Sequence, residues 1–85
     1  MARTPILKIA PGSSTTYTVP AGKYAILNFL CKDSSSITVG ASAFFYSSSG
    51  NSNQFAGFVA PAGTTIGINA GAGSVAVATG FEYDL

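Results

Sequence analysis

The chain contains no histidine. That single absence removes His-based general acid–base catalysis, Ser–His and Cys–His nucleophile pairs, and the commonest metal ligand. Cysteine is nearly absent as well: Cys31 stands alone, so no intrachain disulfide can form, and a framework of stapled loops is excluded. A lone cysteine in the apolar run Tyr24-Ala-Ile-Leu-Asn-Phe-Leu-Cys31 is expected to behave as a buried small hydrophobe, in a protein made in a reducing cytosol.

Charge is the next deficit. Only 8% of the residues are charged, against roughly 25% in an ordinary soluble domain. The ionic side chains are Arg3, Lys8, Lys23, Lys32, Asp33, Glu82 and Asp84. A net charge of +1 without a basic stripe leaves no electrostatic footprint for nucleic acid. No stretch approaches the ~18 apolar residues of a helical membrane span, so no membrane partner is expected. Met1–Lys8 lacks the apolar core of a signal peptide.

Length and hydrophobicity then pull against each other. Eighty-five residues make one small domain, and a domain of that size buries only about 60% of the surface its unfolded chain exposes. Yet 47% of the residues are hydrophobic. With so few charges, most of the exterior is Ser, Thr, Asn, Gly or bare apolar residues, a surface expected either to be covered by partner subunits or to serve as the neutral, hydroxyl-rich coat of an extracellular particle component.

Gly and Pro punctuate the chain at Pro11-Gly12, Pro20-Ala-Gly22, Gly40, Gly50, Pro61-Ala-Gly63, Gly71-Ala-Gly73 and Gly80. No window between them holds an i, i+3, i+4, i+7 apolar pattern of helical length, whereas alternating, β-branched and aromatic segments recur. The expected fold is all-β: a single small β-sandwich or jelly-roll-like barrel of short antiparallel strands, residues 15–85, preceded by an N-terminal arm and first edge strand over residues 1–14. In the last segment, bulky Val75, Val77, Thr79, Phe81, Tyr83 and Leu85 alternate with Ala76, Ala78, Gly80, Glu82 and Asp84. The bulky set is expected to face the core, leaving Ala76, Ala78 and Gly80 as a small-residue face that either is approached closely by a partner or simply tolerates small residues.

Lys23–Lys32 reads differently, because both of its faces are apolar: Tyr24, Ile26 and Leu30 on one, Ala25, Leu27, Phe29 and Cys31 on the other. This pattern fits a strand covered on both sides, or one whose second face a neighbouring subunit seals. Ile37 to Tyr46 reads similarly, with Ile37, Val39, Ala41, Ala43 and Phe45 on one face and Phe44 and Tyr46 on the other. Ser34–Ser36 and Ser47–Asn53 read as solvated loops. Val19-Pro-Ala-Gly-Lys23 and Ala60-Pro-Ala-Gly-Thr64 echo each other, each opening a strand through a turn with Pro second and Gly fourth, as in type I; the echo suggests two similar sheets facing each other.

Chemistry-bearing pairs are few. Glu82 and Asp84 lie two apart on a strand, a spacing open to paired carboxylates or a calcium pair, but on the outer face of a terminal strand they are expected to form a solvated or salt-bridged edge. Gly71-Ala-Gly73 lacks the Gly-Lys-Ser/Thr of a phosphate loop. No catalytic residue, metal site or cofactor is expected, and the protein is expected not to be an enzyme.

The order Tyr17-Thr-Val-Pro-Ala-Gly-Lys23 entering a long apolar strand with Asn28, a Ser-rich strand pair, Ala60-Pro-Ala-Gly-Thr-Thr65, and a closing Val75-Ala-Val-Ala-Thr-Gly-Phe-Glu82 strand resembles small β-sandwich structural proteins of tailed bacteriophages, of the head decoration (cement) or fibre-module type. The resemblance runs from Tyr17 onward. It implies a virion protein on the capsid exterior, made in the host cytoplasm, associating with itself as a trimer and with the major capsid protein, without nucleic acid or cofactor. The interface residues expected are Ile6, Leu7, Ile9, Tyr24, Ile26, Phe29, Phe44, Tyr46, Ala76, Ala78 and Gly80, with Thr4–Ile9 serving as an arm that adds a strand to another chain. The alternative is a fibre or tail module that binds a host receptor or glycan through Tyr46, the Ser47–Asn53 loop and Asn69.

Overall fold

The structure is a computed structural model that describes residues 3–48 and 50–85. Met1 and Ala2 of the expected N-terminal arm and Ser49 of the Ser47–Asn53 loop lie outside the described residues. Eight strands follow in chain order: β1 (Arg3–Pro11), β2 (Ser14–Thr18), β3 (Lys23–Lys32), β4 (Ser36–Val39), β5 (Ser42–Tyr46), β6 (Ser52–Ala60), β7 (Thr65–Asn69) and β8 (Val75–Asp84).

They form two four-stranded antiparallel sheets, ordered β1-β8-β3-β6 and β2-β7-β4-β5. The pairs β1·β8, β2·β7, β3·β6 and β4·β5 are the rungs of one long hairpin closed at β4–β5 and wrapped so that successive rungs alternate between sheets. That wrapping is a jelly roll. The expected small all-β sandwich is therefore the fold.

Glycine sets the turns. Lys23 N donates to Pro20 O (3.3 Å) and Thr64 N to Pro61 O (3.2 Å), with Gly22 and Gly63 at φ +80° and +85°. Both are turns with Pro first and a left-handed Gly third, the type II pattern, not the expected type I with Pro second. The echo does mark equivalent places: one turn carries the chain from β2 into β3, the other from β6 into β7, and β3 and β7 lie in opposite sheets.

Between the sheets lie Leu27, Phe29, Cys31, Ile37, Ile66, Ile68, Ala76 and Ala78, all essentially inaccessible, closed at the ends by Ile6, Ala10, Tyr17, Val19, Ala25 and Ala60. Here β8 reverses its expected orientation. Ala76 and Ala78 point inward, and Val75, Val77, Thr79, Phe81 and Tyr83 point out. Packed sheets stand only ~10 Å apart, so large side chains from one side need small ones opposite. The isoleucines of β4 and β7 and the large side chains of β3 fill that gap, and the alanines make room for them. Close approach to the small-residue face was expected from a partner; the chain's own second sheet supplies it.

Gly80 carries the tightest constraint. Its φ is +152°, and a Cβ there would overlap the Ile26 carbonyl oxygen of the adjacent β3. Only glycine fits.

Two further expectations change. Ile37–Tyr46 is a hairpin, not one strand: Val39 pairs with Ser42 across Gly40-Ala41, with Gly40 at φ +62°, the Gly-first pattern of a type II′ loop. The turn and the register shift between Ile37 and Thr38 expose Ala41 and Ala43. Ser35 and Ser47, read as loop solvent contacts, are buried. Ser35 Oγ donates to Lys32 O (2.5 Å), Ser47 N donates to Ser35 O (2.9 Å), and Gly50 N donates to Asp33 Oδ1 (2.7 Å). The two serine loops thus tie to each other, which satisfies backbone groups that would otherwise be orphaned.

Candidate functional site

The side of β1-β8-β3-β6 that faces away from the core carries no anionic side chain, and its apolar side chains outnumber its polar ones. Cross-strand register sorts it into rows: Arg3–Tyr83–Tyr24, Pro5–Phe81–Ile26–Val59, Leu7–Thr79–Asn28, and Ile9–Val77–Leu30–Gln54. Leu7, Ile9 and Val59, on the two edge strands, are 63%, 51% and 60% exposed. Tyr24 stacks on Tyr83 (centroids 5.2 Å apart), and the Arg3 guanidinium lies 4.4 Å above Phe81, a cation–π contact that keeps its charge at one end of the face. Exposed apolar area this continuous is unusual on a free monomer.

Near the middle of the face is a β-bulge. The β3–β6 register shifts between Leu27 and Phe29, leaving Asn28 opposite Ala56-Gly57, with Gly57 at φ +82°. Gly57 N donates to Asn28 Oδ1 (3.1 Å), so the carboxamide fills the gap in the ladder. Beside it lies a depression of about 410 Å3 lined by Asn28, Leu30, Gln54, Ala56, Val77 and Thr79 together with Phe29 and Phe55.

The outward side of β2-β7-β4-β5 is its opposite in chemistry. Thr16–Gly67–Thr38 and Thr18–Thr65 are rows of hydroxyls, and Thr18 and Thr65 hydrogen-bond to each other (3.0 Å). The row Ser14–Asn69–Ser36–Tyr46 ends on a tyrosine that is 68% exposed. Along the open side between edge strands β5 and β6, Phe44, Phe55 and Phe58 gather around Phe29, with Phe44 and Phe58 4.8 Å apart and Phe45 against Phe55.

The expected interface residues divide. Leu7, Ile9, Tyr24 and Ile26 share the apolar outer face; Phe44 lies in the aromatic seam, and Tyr46 stands on the hydroxyl face. Ile6, Phe29, Ala76 and Ala78 are core residues, and the half-buried Gly80 is packed against β3, so all five are engaged by the chain's own packing. Thr4–Ile9, expected to be an arm reaching to another chain, pairs with β8 along its whole length. Sequence reasoning missed Val59, Val77 and Phe81 as surface residues; the signal available was that β3 and β8 together hold more large apolar residues than one core layer takes.

The acids are engaged individually. Glu82 faces sheet β2-β7-β4-β5 rather than solvent on an outer face, and Tyr17 Oη donates to its Oε2 (2.6 Å). Burial, reinforced by that carboxylate, pushes the Tyr17 phenol far above its ordinary range. Asp84 pairs with Lys23 (2.6 Å), and this hydrogen bond raises the Lys23 ammonium above its usual value. Burial pushes the Cys31 thiol up to about 11, leaving it a poor nucleophile at neutral pH. Among the described residues no three His, Cys, Asp or Glu side chains cluster as metal ligands. Comparison of the chain with protein-family models, curated proteins and solved structures finds no match.

Proposed function

We propose that this protein is a non-enzymatic structural component of a virus particle: a capsid decoration, or cement, protein that associates with copies of itself and seats on the outer surface of the major capsid protein. The observation carrying this reading is the apolar outer face of β1-β8-β3-β6, backed by an uncharged hydroxyl face on the other sheet. One face needs covering; the other tolerates water or a protein shell. The jelly roll recurs in viral capsid and lectin domains, which supports the reading by analogy of fold. The order of motifs from Tyr17 to Glu82 supports it by resemblance.

The energetics suit such a role. An interface of ~1,600 Å2, roughly 60% of it apolar, has a gross hydrophobic term of about 24 kcal/mol at ~25 cal/mol per Å2 of apolar surface, of which only the surplus over association costs appears as affinity. Repeated over a shell, modest affinities add through multivalency. Counting this chain in purified particles tests the reading: hundreds of copies are expected, a handful would move it to a tail or fibre, and none would end it.

A second reading, a fibre or tail module binding a host glycan or receptor, is favoured by one observation. Register brings Tyr46 and Asn69, 23 residues apart in the chain, into one row with Ser36 between them. An exposed aromatic flanked by an amide and hydroxyls suits a neutral sugar. Asn53 Nδ2 donates to the Tyr46 carbonyl (2.9 Å) and holds the loop at its side. Glycan-array binding lost in Tyr46→Ala is the expected signature; an array without hits removes this reading.

A further inference from the structure

We propose that the apolar face of β1-β8-β3-β6 is covered by the same face of a second copy, the two related by a twofold axis running along the strands between β8 and β3. This rests on the reading of that face as an assembly surface and adds its occupant and geometry. The axis lays β1 of one copy over β6 of the other and β8 over β3, while each row faces its own counterpart.

Shape selects this arrangement. On β1 the face stands proud, at Leu7 and Ile9. On β6 it is recessed, because the bulge at Asn28 puts Ala56-Gly57 in the row of Leu7 and Gln54 in the row of Ile9, at the rim of the depression. Turning one copy over therefore sets the Leu7–Ile9 ridge over the Gln54–Ala56 rim of the partner's depression, and Val59, prominent on β6, over Pro5 on β1. Sheets pack face to face at about −30°, so register holds best in the central rows, where the recess lies.

Charge and area agree. The charges at the margins, Arg3 at one end and Lys32 at the other, lie outside the three central rows of Pro5, Leu7 and Ile9, and no charge is buried in the middle. Four strands about 4.8 Å apart and nine or ten residues long at ~3.3 Å each span on the order of 600 Å2 in flat projection, more once corrugated. A standard interface takes about 800 Å2 per partner, so this one face suffices for a stable pair.

Sedimentation equilibrium at micromolar concentration tests the stoichiometry, and a pair of cysteines tests the geometry. The mass expected is twice the 8.5 kDa of the chain. Leu7→Glu, at a position already exposed, is expected to keep the fold by circular dichroism and to weaken association by at least about 30-fold. In the double variant Leu7→Cys with Ala56→Cys, the two sites lie three strands apart within one chain, about 14 Å, beyond the reach of an intrachain disulfide. Oxidation should yield a covalent dimer, while Thr16→Cys with Ala56→Cys should yield almost none. A monomer at these concentrations, a trimer such as the family resemblance implies, or equal cross-linking of both double variants would overturn the twofold pairing. Particle copy number is read separately: a chain abundant on particles yet monomeric alone sinks the pairing and leaves the decoration reading, and a chain that pairs yet is absent from particles does the reverse.

Discussion

The two outward faces of this sandwich have four strands each and carry opposite surfaces. On β2-β7-β4-β5 the alternation is conventional: Thr16 and Thr18 flank Tyr17, and Thr65 and Asn69 bracket Ile66 and Ile68, so hydroxyls and an amide face out and aliphatics face in. On β1-β8-β3-β6 both sides are apolar, and the larger residues of β8 are the outward ones. A strand with one polar set declares its inner face by itself. A strand with two apolar sets does not, and its orientation is decided by which set fits the opposing layer.

The largest effect that separates the sheets should come from their glycines. Gly80→Ala, on β8, places a methyl group against the Ile26 backbone in a conformation unsuited to L residues, and is expected to cost about 3 kcal/mol or more. Gly67→Ala, on β7, meets side chains alone, that of Thr38, which can rotate, and Asn69 Nδ2 at 3.4 Å, and should cost about 1 kcal/mol. Urea titration of both variants measures the gap; equal losses would mean that the packing of β8 against β3 is looser than described.

The core shared by both faces offers a second check. Because the Cys31 thiol is raised in the folded chain, the folded state holds its proton where the unfolded chain releases it. Stability should therefore fall as pH rises from about 9 towards 11, by up to roughly 2–3 kcal/mol from this group. Tyr17 and Lys23, raised too, push stability the same way at still higher pH. Comparing the alkaline slope of Cys31→Ala with that of the wild type isolates the cysteine; identical slopes would show that the thiol is not buried.

Charge placed on the two faces should act unequally. Val59→Glu is expected to weaken self-association at least about 30-fold, whereas Thr65→Glu, on the hydroxyl face, should change it less than about threefold. Light scattering across a dilution series reads both, and a reversed order would break the contrast between the faces. The smallest effect belongs to the hydrogen bond that ties the sheets together. Tyr17→Phe should lower stability by about 1 kcal/mol, since Glu82 is only partly buried and water can replace the phenol. Neither face should lose its behaviour in that variant.

Much of this was legible in the residues. Turn residues placed the breaks between most strands, and the two-sided pattern of Lys23–Lys32 already declared a second apolar face. Three things were not legible. Gly40 was marked as a break, yet the hairpin it closes was hidden because Ile37–Val39 and Ser42–Tyr46 continue one alternation through it. Thr4–Ile9 looked like a free arm because its partner, β8, is the last strand of the chain. The gathering of five phenylalanines depended on two bulges, each a one-residue offset that no local pattern specifies.

The sequence by itself determined that the chain folds as short antiparallel strands, lacks histidine chemistry and has too few charges to clothe its surface. The last two are sums over residues and survive any arrangement of them, and the strands follow from the order of turn residues and alternation along the chain. Which apolar set became core and which became surface was decided only when two sheets closed to a fixed spacing. The alanines of β8 admitted the bulk of the opposite layer, and Val77, Phe81 and their neighbours were left facing outward.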